Sequence, residues 1–249
     1  MLSSRILKGG AMLGDSRRLA EVWNPAISAE ENLHGAVEGN LLGKGSRSRA
    51  LDVLAILRAR FVDPGPQVMV ALQTLASHPT AFREACYYEA ARVDGLLGAF
   101  AEEPLYAWFS AGRTLVSVED TMGWVTDLVA AGHVPPWSEK VRIRAAQGLL
   151  STLRDFGVLQ GSARKHLATP GMSPVGFSYA AYREQEQGRS SRALVASPIW
   201  RRWLLDGSRV VELLAQAERL GVLRYSQAGS AVRIDWRVGS LDEVARAAA

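Results

Sequence analysis

The sequence predicts a mainly α-helical, multi-helix globular protein with helix-turn-helix elements and two winged-helix-like segments in its C-terminal half. Three observations predict this fold class. Apolar residues recur at helical spacing through most of the chain. Serine residues stand at helix-start positions before several of these segments. Finally, Gly-Val-Leu follows a helical segment twice, each time before a polar stretch typical of a short β-hairpin.

The length and composition are typical of a globular protein of one large or two small domains. The chain has 249 residues, of which 48% are hydrophobic and 22% charged. We expect an N-terminal helical domain over 1–115, with an Arg-rich helix at 46–61. A C-terminal domain over 116–249 would hold winged-helix-like units at about 117–175 and 197–238. The absence of a long apolar run predicts no membrane partner, and the single cysteine, Cys86, is typical of a cytoplasmic protein.

The Arg-rich helix carries five basic residues over a short stretch. Ser28 followed by Glu31 predicts a capping box at the start of a separate helix, which ends near Gly39–Asn40 and precedes the Arg-rich helix. The Arg-rich helix itself starts at Ser46 or Ser48 and ends before the sequence DPGP at 63–66. Its apolar residues Ala50, Leu54, Leu57 and Phe61 share one stripe. We predict that its basic residues contact phosphates, with an ordinary solvated helix face as the alternative: Lys44, Arg47, Arg49, Arg58 and Arg60.

A second basic helix is predicted from Ser138 to about Phe156. Its apolar stripe runs through Ala146, Leu149, Leu150, Leu153 and Phe156, and a polar face lies opposite. Helix, turn, helix and hairpin in this order are typical of a winged helix-turn-helix. We predict that the polar face of the helix binds nucleic acid through Lys140, Arg144, Gln147 and Arg154.

The helix end at 149–159 is repeated at 213–223. The sequences LLSTLRDFGVL and LLAQAERLGVL align at an offset of 64 residues. Each copy precedes a basic segment that we predict to form a wing, which commonly contacts phosphates. The predicted wing residues are Arg164 and Lys165 in the first copy and Arg224 and Arg233 in the second.

The charge distribution favours a polyanionic partner. The net charge is +3 over residues 1–60, −6 over 61–136 and +7 over 137–249, so two basic ends flank an acidic middle. Arginine, which binds phosphate in two-pronged fashion, supplies most of the basic residues.

Enzyme motifs are absent from the sequence. The stretch GNLLGKGS at 39–46 has the wrong glycine spacing for a phosphate-binding loop. The four histidines lie far apart and there is one cysteine, so we expect no metal site. We therefore expect no enzymatic activity, no cofactor and no small-molecule substrate.

Four segments together resemble the BrxA family of bacteriophage exclusion (BREX) defence systems. They are LKGGAMLGDSRRLAEVW, EENLHGAVEGNLLGKGSRSRALDVLAILRARF, REACYYEAARVDGLLGAF and WSEKVRIRAAQGLLSTLRDFGVL, and the resemblance covers roughly residues 7 to 225. It implies a small, non-enzymatic, largely helical component that binds nucleic acid through helix-turn-helix elements. The methyltransferase, ATPase and phosphatase-like parts of the system are separate proteins, and other BREX components stay open as partners.

These observations predict a double-stranded DNA-binding accessory protein. With about six to eight phosphate contacts, the slope of log affinity against log salt should be near −5 to −7. Two alternatives stay open. The acidic, aromatic stretch 61–136 could dock another defence component as an adaptor, or the basic helices could hold structured RNA.

Overall fold

The computed structural model describes Leu2, residues 7–229 and residues 231–247. It is mainly helical with short antiparallel strands, which confirms the predicted fold class. In the described ranges the strands form a three-stranded and a two-stranded sheet. The turn predicted for the second hairpin includes residue 230, which lies outside these ranges. No helix within them has the length and hydropathy needed to span a bilayer.

The contacts divide the chain into two compact units, each assembled from three segments. Unit 1 comprises Met1–Ala11, Ala90–Gly171 and Pro198–Asp206, and unit 2 comprises Met12–Glu89, Met172–Ser197 and Gly207–Ala249. The predicted domains, 1–115 and 116–249, stay a prediction.

The predicted Arg-rich helix and the predicted helix after Ser138 are present as α3 and α9. The α-helices are α1 (Leu13–Val22), α2 (Ala29–Glu38), α3 (Arg47–Leu57), α4 (Pro66–Leu75), α5 (Pro79–Val93), α6 (Gly95–Phe100), α7 (Tyr106–Ser110), α8 (Val118–Ala130), α9 (Glu139–Asp155), α10 (Pro174–Glu186), α11 (Ser191–Val195), α12 (Gly207–Arg219) and α13 (Leu241–Arg246). The strands are β1 (Leu115–Val116), β2 (Leu159–Gln160), β3 (Lys165–Leu167), β4 (Leu223–Ala228) and β5 (Ala231–Trp236). Two π-helical turns, Arg58–Val62 and Ala101–Leu105, and a 3₁₀ helix, Pro198–Trp203, are further helical segments.

The Arg-rich helix changes its winding near its C-terminal end. α3 continues into the π turn at Arg58–Val62, where the Asp63 N–H donates to the Arg58 carbonyl oxygen. Within this turn Arg60 and Phe61 are both buried, each with 1% of its surface exposed. The expectation that Arg60 lies on an exposed basic face is wrong.

Unit 1 contains a compact helix-and-strand arrangement around α9. In chain order it runs α7, β1, α8, α9, β2 and β3. The sheet order is β1-β3-β2, so the first strand pairs with the last one, in an antiparallel register that matches Leu115 with His166. All five apolar residues of the predicted α9 stripe are buried. The arrangement leaves the opposite side of α9 beside the β2–β3 hairpin.

Both helices of the repeat end in the same way. Gly157 and Gly221 have positive φ values of 83° and 76°, a conformation that favours glycine. The next N–H donates back to the helix in each case. The Val158 N–H donates to the Leu153 carbonyl oxygen at 2.9 Å, and the Val222 N–H donates to the carbonyl oxygen five residues earlier at 3.2 Å. The following Leu is buried and starts β2 or β4. The repeat is therefore a repeat of structure as well as of sequence.

Unit 2 packs α10 against charged residues of α5. Arg183 Nε lies 2.8 Å from the fully buried Glu89 carboxylate, and the Tyr179 hydroxyl donates to the same carboxylate at 3.0 Å. Nearby, the Ser173 N–H donates to Glu84 at 2.9 Å, and burial raises the pKa of this carboxyl. A Cβ atom on Gly176 would overlap the Glu84 side chain, which explains a glycine in the first turn of α10.

Candidate nucleic-acid interface

The exposed face of α9 is a row of polar and basic side chains. Lys140, Arg144, Gln147 and Arg154 are all exposed, and Ser151 between them is partly exposed. Their spacings of three and four residues put them on one side of the helix. In the described part of the chain, Lys140 and Arg144 form no ion pair, whereas Arg154 Nη2 lies 2.6 Å from Asp155. The basic character of this face is therefore strongest toward the N-terminal end of α9.

A groove separates α9 from the β2–β3 hairpin. Its volume is about 570 Å³, and its walls come from α9, the start of α8, β1 and the hairpin turn. Gln147 and Ser151 line the α9 side, while Ser162, Arg164 and Lys165 line the hairpin side. Three residues that the sequence predicted from separate motifs, Gln147, Arg164 and Lys165, thus meet in one groove.

The two basic residues of this hairpin have different roles. Lys165 Nζ donates to the Gly161 carbonyl oxygen at 3.0 Å and to that of Ser162, so it closes the hairpin turn. Arg164 is exposed at the turn and forms no ion pair within the described residues. Arg164 is therefore available to an outside anion, and Lys165 is partly engaged with the backbone.

Arg113 also lines the groove, and the sequence analysis missed it. Its guanidinium forms a hydrogen bond with Asp120 and lies over the Trp108 ring, 4.8 Å from the centroid. The Arg113 hydrogen bond, together with those of Ser117, holds the pKa of Asp120 below its usual range. Arg113 precedes the two-residue strand β1, which is too short to leave a periodic signal in the sequence.

The basic residues around α3 are compensated by neighbouring carboxylates. Lys44 Nζ lies 2.8 Å from Asp15, and Arg47 Nη1 lies 2.7 Å from Glu38. Arg58 is paired as well, at 2.7 Å from Glu30 and 3.2 Å from Asp63. Arg49 is exposed and has no ion-pair partner among the described residues. The predicted five-charge surface is thus one free cation, three ion-paired cations and the buried Arg60.

The second copy of the repeat is less basic than the first. Arg233 lies 2.8 Å from Asp235, whereas Arg224 is exposed and forms no ion pair within the described residues. On α12, Arg209 lies 2.7 Å from Glu212. Residues 207–236 hold four Lys/Arg and three Asp/Glu, whereas the corresponding stretch 139–167 holds six and two. The two copies of the repeat therefore differ in charge although they share the same helix end.

These features define a mainly helical protein that carries a basic helix beside a short hairpin. A profile of the BrxA family matches residues 2–183, which include α9 and the β2–β3 hairpin. The chain therefore belongs to the BrxA family, a component of BREX phage-defence systems.

Comparison with other proteins adds a fold relative. The chain is similar to the crystal structure of an uncharacterized protein from Magnetospirillum magneticum, with a TM-score of 0.62 and 19% sequence identity. The similarity covers 81% of this chain and 97% of that chain, and at this identity it shows the fold alone. No curated protein matches the chain.

Proposed function

We propose that this protein is a non-enzymatic accessory component of the BREX system that binds double-stranded DNA through α9 and the β2–β3 hairpin. The element order of unit 1, with β1 paired to the last strand, supports this proposal because it matches the order of elements in a winged helix. In helix-turn-helix proteins the second helix of the motif enters the major groove. α8 and α9 correspond to the two helices, and the hairpin corresponds to the wing.

The observation that carries this proposal is the set of uncompensated cations on one surface of unit 1. Lys140, Arg144 and Arg164 are exposed and have no ion-pair partner in the described part of the chain, whereas most cations near α3 have one. Phosphate contacts dominate DNA affinity because bound cations release condensed counterions. An arginine already paired with a carboxylate contributes less to this release.

The geometry favours DNA over structured RNA. α9 has 17 residues and exposes Lys140, Arg144 and Arg154 along one row. The major groove of B-DNA is wide enough for an α-helix, whereas that of A-form RNA is deep and narrow. A helix-based surface therefore suits duplex DNA.

Binding of the nuclease-treated protein to a random-sequence duplex of about 30 bp tests the proposal. We expect measurable affinity at low salt, a steep decline with salt, and weaker competition by duplex RNA than by duplex DNA. Arg144→Glu should weaken binding and leave thermal unfolding unchanged, because this side chain is exposed and makes no ion pair within the described ranges. Undiminished affinity in the folded variant would remove α9 from the interface.

A further inference from the structure

Arg113 is held in a fixed position on the wall of the groove between α9 and the hairpin. Two neighbours hold its guanidinium, the Asp120 carboxylate and the face of the Trp108 ring. Both neighbours are themselves fixed. The Ser117 hydroxyl donates to Asp120 at 2.8 Å, and Trp108 packs edge-on against the buried Phe100, with centroids 5.8 Å apart. The side chain of Arg113 is 38% exposed, so part of the guanidinium reaches the groove.

The charge environment of Arg113 is poorly suited to a phosphate. Asp120 compensates its positive charge, and the exposed carboxylate of Glu119 also lines the groove. A phosphate entering here would meet two carboxylates. An arginine has five N–H donors in a planar fork, so a guanidinium that binds one carboxylate still has donors left for a second acceptor. Its attraction for such an acceptor is short-ranged and directional.

We propose that Arg113 reads a guanine base edge in the DNA bound by α9, an inference that rests on the proposed DNA binding. Arginine to guanine O6 and N7 is the commonest specific contact in the major groove. Gln147 lines the same groove and is exposed on α9, so the groove borders the face through which α9 would bind DNA. A rigidly held donor discriminates best between partners, because its geometry is fixed before binding. Arg113 is thus a specificity-determining residue, and Lys140, Arg144 and Arg164 supply phosphate contacts.

The test separates base reading from phosphate binding. A library of 20-bp duplexes with randomised sequence is incubated with wild type, Arg113→Ala or Arg113→Lys, and the bound fraction is sequenced. Wild type should prefer guanine at one position by roughly 5- to 150-fold, the range of one good bidentate contact. Arg113→Ala should lose that preference, and Arg113→Lys should lose most of it, because a flexible ammonium lacks the planar guanidinium fork that Asp120 and Trp108 hold in place.

The salt dependence of binding to a random-sequence duplex distinguishes a base contact from a phosphate contact. It also distinguishes both from a purely structural role of Arg113. Arg113→Ala should leave the salt slope unchanged, whereas Arg144→Ala should lower it by about 0.9. Asp120→Asn retains Arg113 but removes the compensating charge. This variant should steepen the slope and weaken the guanine preference, while thermal unfolding reports any loss of the helix cap.

Three results would overturn the inference. The first is an unchanged sequence preference in Arg113→Ala, and the second is a slope decrease in Arg113→Ala equal to that in Arg144→Ala, which would make Arg113 a phosphate contact. The third is wild-type binding with no base preference, which would leave the proposed function intact. If wild type fails to bind any duplex at low salt, the proposed function fails as well, so the two failures are distinguishable.

Discussion

Removing three positive charges from the surface of α9 and its hairpin should reduce the log–log salt slope of DNA binding to about a quarter of its wild-type value. The variant carries Lys140→Ala, Arg144→Ala and Arg164→Ala, each at an exposed side chain. With Lys165, wild type places four cations here, so its log–log salt slope should be about −3.6, from ~0.9 per phosphate. Raising salt from about 50 to about 200 mM should weaken wild type about 150-fold, but a variant with one contact left only about 3- to 4-fold.

The matched control removes three positive charges from α3. Arg47→Ala, Arg49→Ala and Arg58→Ala change the net charge by the same amount, but Arg47 and Arg58 are ion-paired in the folded protein. Fluorescence anisotropy with a labelled random duplex measures both slopes. The control should change the slope by less than about 1 unit. Equal decreases in the two variants would refute the reasoning, because they would mean that total charge decides binding rather than the position of uncompensated cations.

Three further predictions concern stability, measured by chemical unfolding. Asp120→Asn should lower the free energy of unfolding by about 1 kcal/mol at pH 7. The pKa of Asp120 is lowered in the folded protein, so its carboxylate stabilises the fold above the unfolded pKa, and this stabilisation is lost as pH falls through the folded pKa. A stability difference between wild type and variant that does not change with pH would contradict the role of Asp120 in the cap. Gly176→Ala should lower the free energy of unfolding by about 1–3 kcal/mol, because the new Cβ overlaps a buried carboxylate. Gly123→Ala, with no atom within 4 Å of the new Cβ, should instead raise it by about 0.5–1 kcal/mol by stabilising α8. Equal shifts in the two alanine variants would exclude the overlap. Glu89→Ala should lower the free energy of unfolding by about 3–5 kcal/mol, because Arg183 would keep only the partly exposed Glu186 carboxylate and the buried Tyr179 hydroxyl would lose its acceptor. Exposed Glu103→Ala should change it by less than about 0.5 kcal/mol, and similar losses in both variants would contradict the structural role of the buried pair.

Local signals predicted the two basic helices α3 and α9 and the shared helix ends, whereas α10, α11 and α13 were not predicted. The capping box at Ser28 and the apolar stripe of α9 depend only on spacing along one helix, and both are present. The Gly-Val-Leu repeat was equally readable, because a left-handed glycine followed by a buried residue is a local motif at a helix end. The position of the basic helix at 139–155 and its buried face could therefore be predicted from its own residues.

Tertiary contacts explain what the sequence concealed. Arg60 lies in a π turn, which no residue pattern predicts. Ion pairs such as Lys44 with Asp15 join residues 29 positions apart. Charge counted along the chain therefore overstated the basic surface near α3. Arg113 was missed because its significance comes from a groove whose other walls lie in α8, α9 and the hairpin.

Site-specific photocrosslinking tests the central proposal most directly. A photoreactive amino acid replaces Gln147, which is exposed on the groove side of α9, or Leu51, which is exposed on α3. Both proteins are irradiated with the same random-sequence duplex DNA. DNA binding through α9 and the hairpin predicts a crosslinked complex from position 147 and little or none from position 51. Crosslinking from position 51 alone, or from neither position under conditions where the duplex is bound, would contradict the proposed interface.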